Sequence, residues 1–160
     1  MTLESVYYSS QIFSSLAVVV SLIYLGKQIS HGTRASAVQA KIATTTMQSA
    51  FADLLIADPD LNDLVMRAMI STDDLTKQEY HRFSNMCFKM FWFVSTAHFQ
   101  LRVGTLTDED WFEIKASLAF YLGGAGFRNW WRRNGRARFT GKFAEFVDAE
   151  IVRVESTSAL

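Results

Sequence analysis

Ser5 to Gly26 is a run of 22 residues with neither a formal charge nor a proline, closed by Glu4 on one side and Lys27 on the other. At about 1.5 Å of rise per residue, a helix of that length matches a hydrocarbon core of about 30 Å. Ser5, Ser9, Ser10, Gln11, Ser14, Ser15 and Ser21 interrupt the run, and its densest apolar part is only Ile12 to Leu25. Apolar stretches of roughly 10–14 residues also serve as buried core helices of water-exposed domains, which is the competing reading. A cleaved signal peptide fits worse, because no Lys or Arg precedes the apolar part and Lys27, His31 and Arg34 follow it. The expectation is an uncleaved transmembrane helix within residues 1–30.

The flanks set its direction. Lys27, Arg34 and Lys41 follow the run with no acid before Asp53, while Glu4 and the terminal amine precede it. Basic residues hold their side in the cytoplasm, so the N-terminus is expected outside a bacterial inner membrane and residues 31–160 in the cytoplasm. Ser10, Ser14, Ala17 and Ser21 recur at four, three and four residues and line one helix face with small side chains. Such a face suits helix packing in a membrane. Serine bonding its own preceding carbonyl is the simpler account of the same residues.

Downstream, the spacing predicts helices throughout. Pro59 is the only proline in 160 residues. Ala40, Ala43, Met47, Ala50 and Leu54 continue a three-four periodicity that carries the first helix past the run, with Gly26 and Gly32 available for a bend. Asp58-Pro59-Asp60 reads as an N-cap, a first-turn proline and an acid at the positive end of the dipole. Thr76 with Glu79 forms a capping box for a helix that Gly104 ends. That helix is apolar on nearly every side between Phe83 and Val94, so it calls for other helices around it, or partly for lipid. Thr107 with Asp110 opens the next helix; Gly123, Gly124 and Gly126 break the chain where two helices meet; a short helix follows to Gly135; and a last one begins at Thr140. The tail from Glu155 is expected to fray unless it is held.

Charge is zero overall, from sixteen basic and sixteen acidic side chains, but it is segregated. Residues 53–79 hold seven acids against Arg67 and Lys77, whereas seven bases and no acid lie between Glu113 and Glu145. Arg128, Arg132, Arg133, Arg136, Arg138 and Lys142 are interleaved there with Phe127, Trp130, Trp131 and Phe139. Three readings compete: arginines paired with the acidic segment within or between subunits, contact with anionic lipid head groups, and single-stranded nucleic acid stacked on Trp130 and Trp131. The last is the weakest, because a neutral chain has no general attraction for phosphate, and nucleic acid is not an expected partner.

Catalytic patterns are missing from the sequence. The single Cys87 forms no internal disulfide and sits among apolar neighbours, three histidines leave little for a metal centre, and the Glu-x-x-His repeats of a di-iron bundle do not occur. His98, on the aromatic helix, has the chemistry to ligate haem or a pigment, but a lone histidine there more often just hydrogen-bonds. Gly123-Gly124-Ala125-Gly126 lacks the Lys-Ser or Lys-Thr of a phosphate loop. No cofactor and no metal are expected.

Leu16 to Leu25, then Gln28-Ile29 and Thr33-Arg34-Ala35, resembles a widespread, uncharacterised family of bacterial single-pass membrane proteins. The similarity extends to Phe127, Trp130, Trp131 and the stretch Phe143 to Asp148, with an unusually arginine-rich linker between those two motifs. The resemblance implies an N-terminal anchor and a helical cytoplasmic domain, and it carries no activity or catalytic residue.

The combined expectation is an all-α protein, a transmembrane helix over residues 1–30 continuing into a cytoplasmic helical bundle over 31–160. It would act without enzymatic chemistry, as an accessory subunit of an inner-membrane complex or as a homo-oligomeric scaffold, through the face of Ser10, Ser14, Ala17 and Ser21. The alternative is a sensor or regulator at an anionic lipid surface, acting through residues 127–142.

Overall fold

The fold is all-α in a computed structural model that describes residues 3–139 and 141–158, giving only the backbone at 3–16, 30, 31, 33, 34 and 158. Six α-helices follow one another: α1 (Leu3–Ala57), α2 (Pro59–Ile70), α3 (Lys77–Arg102), α4 (Asp108–Leu122), α5 (Ala125–Trp130) and α6 (Gly141–Ser158). A π-turn, Trp131–Gly135, prolongs α5. The chain divides into two compact units, Met1–Gln39 and Ala40–Leu160.

The first unit consists of the N-terminal part of α1. Gly26 and Gly32 lie within it without interrupting the helix. Ser10 and Ser14 of the expected packing face lie outside the residues with described side chains. Ala17 and Ser21 are exposed, and the Ser21 hydroxyl donates to the Ala17 carbonyl at 2.8 Å, the local bond that gives serine a place in a helix without a partner. The transmembrane helix expected over residues 1–30 is not supported: among the described residues no helix is long and apolar enough to cross a membrane. Its sequence basis was uncharged length, and length is a weaker criterion than sustained hydropathy. The serine-rich half, up to Leu16, lies outside the described side chains, and Lys27 closes the apolar half.

The second unit is a helical bundle whose ends are written in its caps. Asp58 accepts the Leu61 N–H at 2.9 Å and Pro59 stands in the first turn of α2. Thr76 and Glu79 complete a reciprocal capping box on α3. Thr107 accepts the Asp110 N–H at 3.1 Å at the start of α4. Gly104, with φ 76°, takes the left-handed conformation that stops α3.

The core forms from one face of each helix: Leu61, Leu64, Val65 and Ala68 of α2; Phe83, Cys87, Phe91, Val94 and Ala97 of α3; Ile114, Leu118 and Leu122 of α4; Val147 and Ile151 of α6. Neighbours do not surround α3 completely, since Trp92 and Phe99 stay exposed. Within Ala40–Ala57 the more buried residues are Ala40, Thr44, Phe51 and Leu55; of the expected seam only Ala40 is among them, while Ala43, Met47, Ala50 and Leu54 are exposed, Met47 and Ala50 at the rim of a cavity. Thr44 is buried, and its hydroxyl lies 2.8 Å from the Ala40 carbonyl and 3.1 Å from Gln100 Oε1 of α3, so its single proton is shared between a local and a tertiary acceptor. Gly124 and Gly126 mark a close helix contact, because a Cβ on either would run into the α2 backbone at Met69 or Ala68. The expected start of the last helix at Thr140 lies outside the described residues. The tail does not fray at Glu155; α6 continues to Ser158.

Candidate functional site

The basic aromatic segment is built on α5 and the π-turn. Trp130 and Trp131 are adjacent in sequence, yet both are buried, at 1% and 0% exposure. Phe91 of α3 stacks near-parallel on Trp130 with ring centroids 5.3 Å apart and meets Trp131 at 4.8 Å. Each indole N–H has a partner: Trp130 donates to Ser84 Oγ at 2.7 Å and Trp131 to Asp148 Oδ1 at 2.8 Å. Arg136 N–H bonds back to the Trp131 carbonyl at 2.7 Å, the five-residue closure of a π-turn. Gly135 lets both indoles pack on the backbone; a Cβ there would lie 2.7 Å from each ring. The tryptophans expected at a lipid or partner surface are therefore core residues, because large rings whose N–H groups find internal acceptors gain more from burial than from an interface.

The cations fan outward from this aromatic floor. Arg128 donates to the Leu122 and Gly123 carbonyls at 2.6 and 2.8 Å, capping the C-terminus of α4, and approaches Glu155 at 3.2 Å. Arg132 reaches the same carboxylate at 2.7 Å. Arg136 pairs with Asp148 at 2.7 Å. The intramolecular pairing anticipated for this segment exists, but with α6 rather than with residues 53–79. Of that acidic segment, Asp63 and Glu79 pair with Arg67 and Asp58 pairs with Arg82. Asp148 and Glu155 are seven residues apart on one face of α6, a spacing that the sequence displays and that would have identified them.

Three cations of this segment, Arg133, Arg138 and Lys142, have no carboxylate partner among the described residues. Arg138 lies over the Phe88 ring, 5.4 Å from its centre, while Arg133 and Lys142 are exposed. Arg133 and Arg138 line an open cavity of about 660 Å³ with Lys77, His81, Asn134 and Asp73. Three cations and a histidine against one carboxylate give this cavity a basic lining.

His98 packs among aromatic rings, stacked on Phe146 at 5.3 Å and beside Trp111 and Phe143 at 5.5 and 5.8 Å. Burial, with Arg102 nearby, lowers its pKa and favours neutral imidazole. Burial pushes the Cys87 thiol well above its ordinary value. Among the described residues no group of three or more His, Cys, Asp or Glu is placed to hold a metal ion.

Comparison with family models, with curated proteins and with solved structures finds no match for this chain.

A different surface stands out in the first unit. Val18, Val19, Val20, Leu22, Ile23, Tyr24 and Leu25 are each between 51% and 64% exposed. They occupy nearly consecutive positions, so they point to every side of the helix. A helix apolar around its whole circumference is stable when apolar matter covers it, and water does not provide that cover.

Proposed function

We propose that this protein is a non-enzymatic, membrane-anchored helical protein that works by association, as an accessory subunit of a bacterial inner-membrane complex or as a homo-oligomeric scaffold. The observation that carries the reading is the row of exposed apolar side chains around α1 from Val18 to Leu25, interrupted only by Ser21 within that stretch. Lipid and neighbouring membrane helices are the covers that such a surface calls for, and the basic flank at Lys27 sets the N-terminus outside. The resemblance of Leu16 to Ala35 to single-pass proteins supports the same placement, as do Trp92, Phe99, Phe112 and Phe120, which leave large apolar rings exposed on the bundle.

Fractionation of native cells tests the anchor, and native mass measurement after mild detergent extraction tests the association. The expected result is a membrane pellet that alkaline carbonate does not strip and an extracted species heavier than one chain. Recovery in the detergent-free supernatant overturns the anchor; a clean monomer with no copurifying partner overturns the association.

A second reading, anionic-lipid sensing, is favoured by the cavity that joins Arg133, Arg138, Lys77 and His81. Such a basic concavity suits a phosphate-bearing head group. In this reading the contact falls to Arg133, Arg138 and Lys142, since Arg132 and Arg136 are engaged by α6 and the tryptophans are buried. Liposome binding that ignores anionic lipid content and salt would remove it.

A further inference from the structure

The bundle keeps a cavity of about 340 Å³ between the Met47–Ala52 stretch of α1, the middle of α3 and the middle of α4. Met47, Phe51, Met90, Phe93, Ile114 and Leu118 make its walls apolar. The volume lies at the small end of the roughly 300–1,000 Å³ range of ligand pockets, and clefts between bundle helices are a common place for them. It is too small for a partner helix: one turn with its side chains, about 5.4 Å long and 10 Å across, fills roughly 420 Å³.

Lys89 is the only charged residue that lines the cavity. It is exposed, and the carboxylates that form ion pairs among the described residues are held by other cations: Asp110 by Lys41, Glu150 by Lys115 and Arg153, and those of α2, α3 and α6 by arginines. Gln48 and Ser117, whose side chains lie 3.5 Å apart, supply the uncharged polar lining. Narrow apolar walls with one unengaged cation are complementary to a thin apolar chain that ends in an anion.

We propose that this cavity binds a medium-chain fatty acid, with the chain between α1, α3 and α4 and the carboxylate against Lys89. Burial of each methylene strengthens binding by about fourfold until the cavity is full, and the charge-assisted contact with Lys89 supplies about a further tenfold. The proposal is independent of membrane anchoring, since every residue in it belongs to the bundle.

Photo-crosslinking of the full-length protein, in whichever fraction of the cell it is recovered, tests it, using a diazirine-bearing dodecanoic acid as probe and peptide mapping as readout. Label is expected on the peptides carrying Met47–Ala52, Lys89–Val94 and Ile114–Tyr121. Unlabelled acids should compete with strength rising about fourfold per methylene. Lys89→Gln should weaken competition by dodecanoate about tenfold and leave dodecanol unchanged. Ala50→Phe, which places a ring in the cavity, should abolish the label. Label scattered along Val18 to Leu25, label that survives in a folded Ala50→Phe protein, or equal competition by acid and alcohol would each overturn the proposal. If Ala50→Phe fails to fold, the Lys89→Gln competition decides alone.

Discussion

Replacing Gly126 by alanine should open the contact between α2 and α5. The added Cβ would fall inside the van der Waals envelope of the Ala68 carbonyl oxygen, 2.8 Å from its carbon and 3.1 Å from Thr72 Cγ2. Carbon atoms in ordinary contact sit about 3.5–4.0 Å apart and the oxygen is nearer still, so the helices must separate by about 1 Å or more. Both clashing partners at Ala68 are backbone, so no rotamer change relieves them. Overpacking costs about 1–3 kcal/mol, and this case belongs at the top of that range. Alanine returns about 1 kcal/mol of helix propensity, which leaves a net loss of about 2 kcal/mol. For a chain of this size that lowers the melting temperature by about 4–8 °C. The separation begins at Ala68 and Phe127, both fully buried, so amide exchange in α5 should accelerate first. Gly104→Ala is the control: a Cβ there meets nothing within 4 Å, and its cost is strain at φ 76°. It should cost about 1 kcal/mol and leave α5 exchange unchanged. Gly126→Ala with unchanged melting temperature, or with protection lost evenly over the bundle, would refute the close-contact argument.

Acid should weaken the start of α3. Arg67, with the Thr76 backbone and hydroxyl, holds the Glu79 carboxyl at about 2, down from 4.5. A lowered carboxyl pKa contributes stability above the unfolded value and loses it as pH falls through the folded one, so the loss should lie between about 4.5 and about 2. Denaturation midpoints of Glu79→Gln should be flatter than wild type across that window, and parallel curves would contradict the assignment. Cys87, fully buried, should resist thiol reagents in the native protein and react at the rate of opening. Rapid native labelling would show that its surroundings are looser than the packing indicates. Ser84→Ala leaves the buried Trp130 indole N–H without its acceptor and should cost about 1–3 kcal/mol in chemical denaturation, whereas an unaffected midpoint would mean the bond contributes little.

The helix ends were legible because caps are local chemistry. Asp58-Pro59, Thr76 with Glu79, Thr107 and Gly104 each satisfy or redirect backbone groups within a few residues, so spacing alone locates them. The face of α1 was not legible in the same way. Ala43, Met47, Ala50 and Leu54 outweigh a threonine in any apolar count, yet Thr44 is buried with its hydroxyl satisfied by the Ala40 carbonyl and by Gln100, 56 residues away. The π-turn was equally hidden, since whether two adjacent tryptophans can both point inward depends on Phe91, Ser84 and Asp148 from other helices.

Charge segregation along a sequence states how much of each sign a segment carries, and leaves open where the opposite sign will stand. The basic segment resembled an exposed face because no acid lies within it, and the nearest large acidic block was the natural partner to expect. Tertiary packing supplied a closer one: burial of Trp131 brings its indole onto Asp148, and the same carboxylate then meets Arg136. Glu155, two turns further along α6, meets Arg128 and Arg132. The aromatic core thus decides which arginines are engaged, and those it leaves outward, Arg133 and Arg138, converge on Lys77 and His81 instead of scattering. A binding surface built that way depends on the core beneath it. Asp148→Ala removes both the acceptor of the Trp131 indole and the counter-ion of Arg136, so it should loosen the packing beneath Arg133 and Arg138 and raise amide exchange there without touching a residue that lines their cavity.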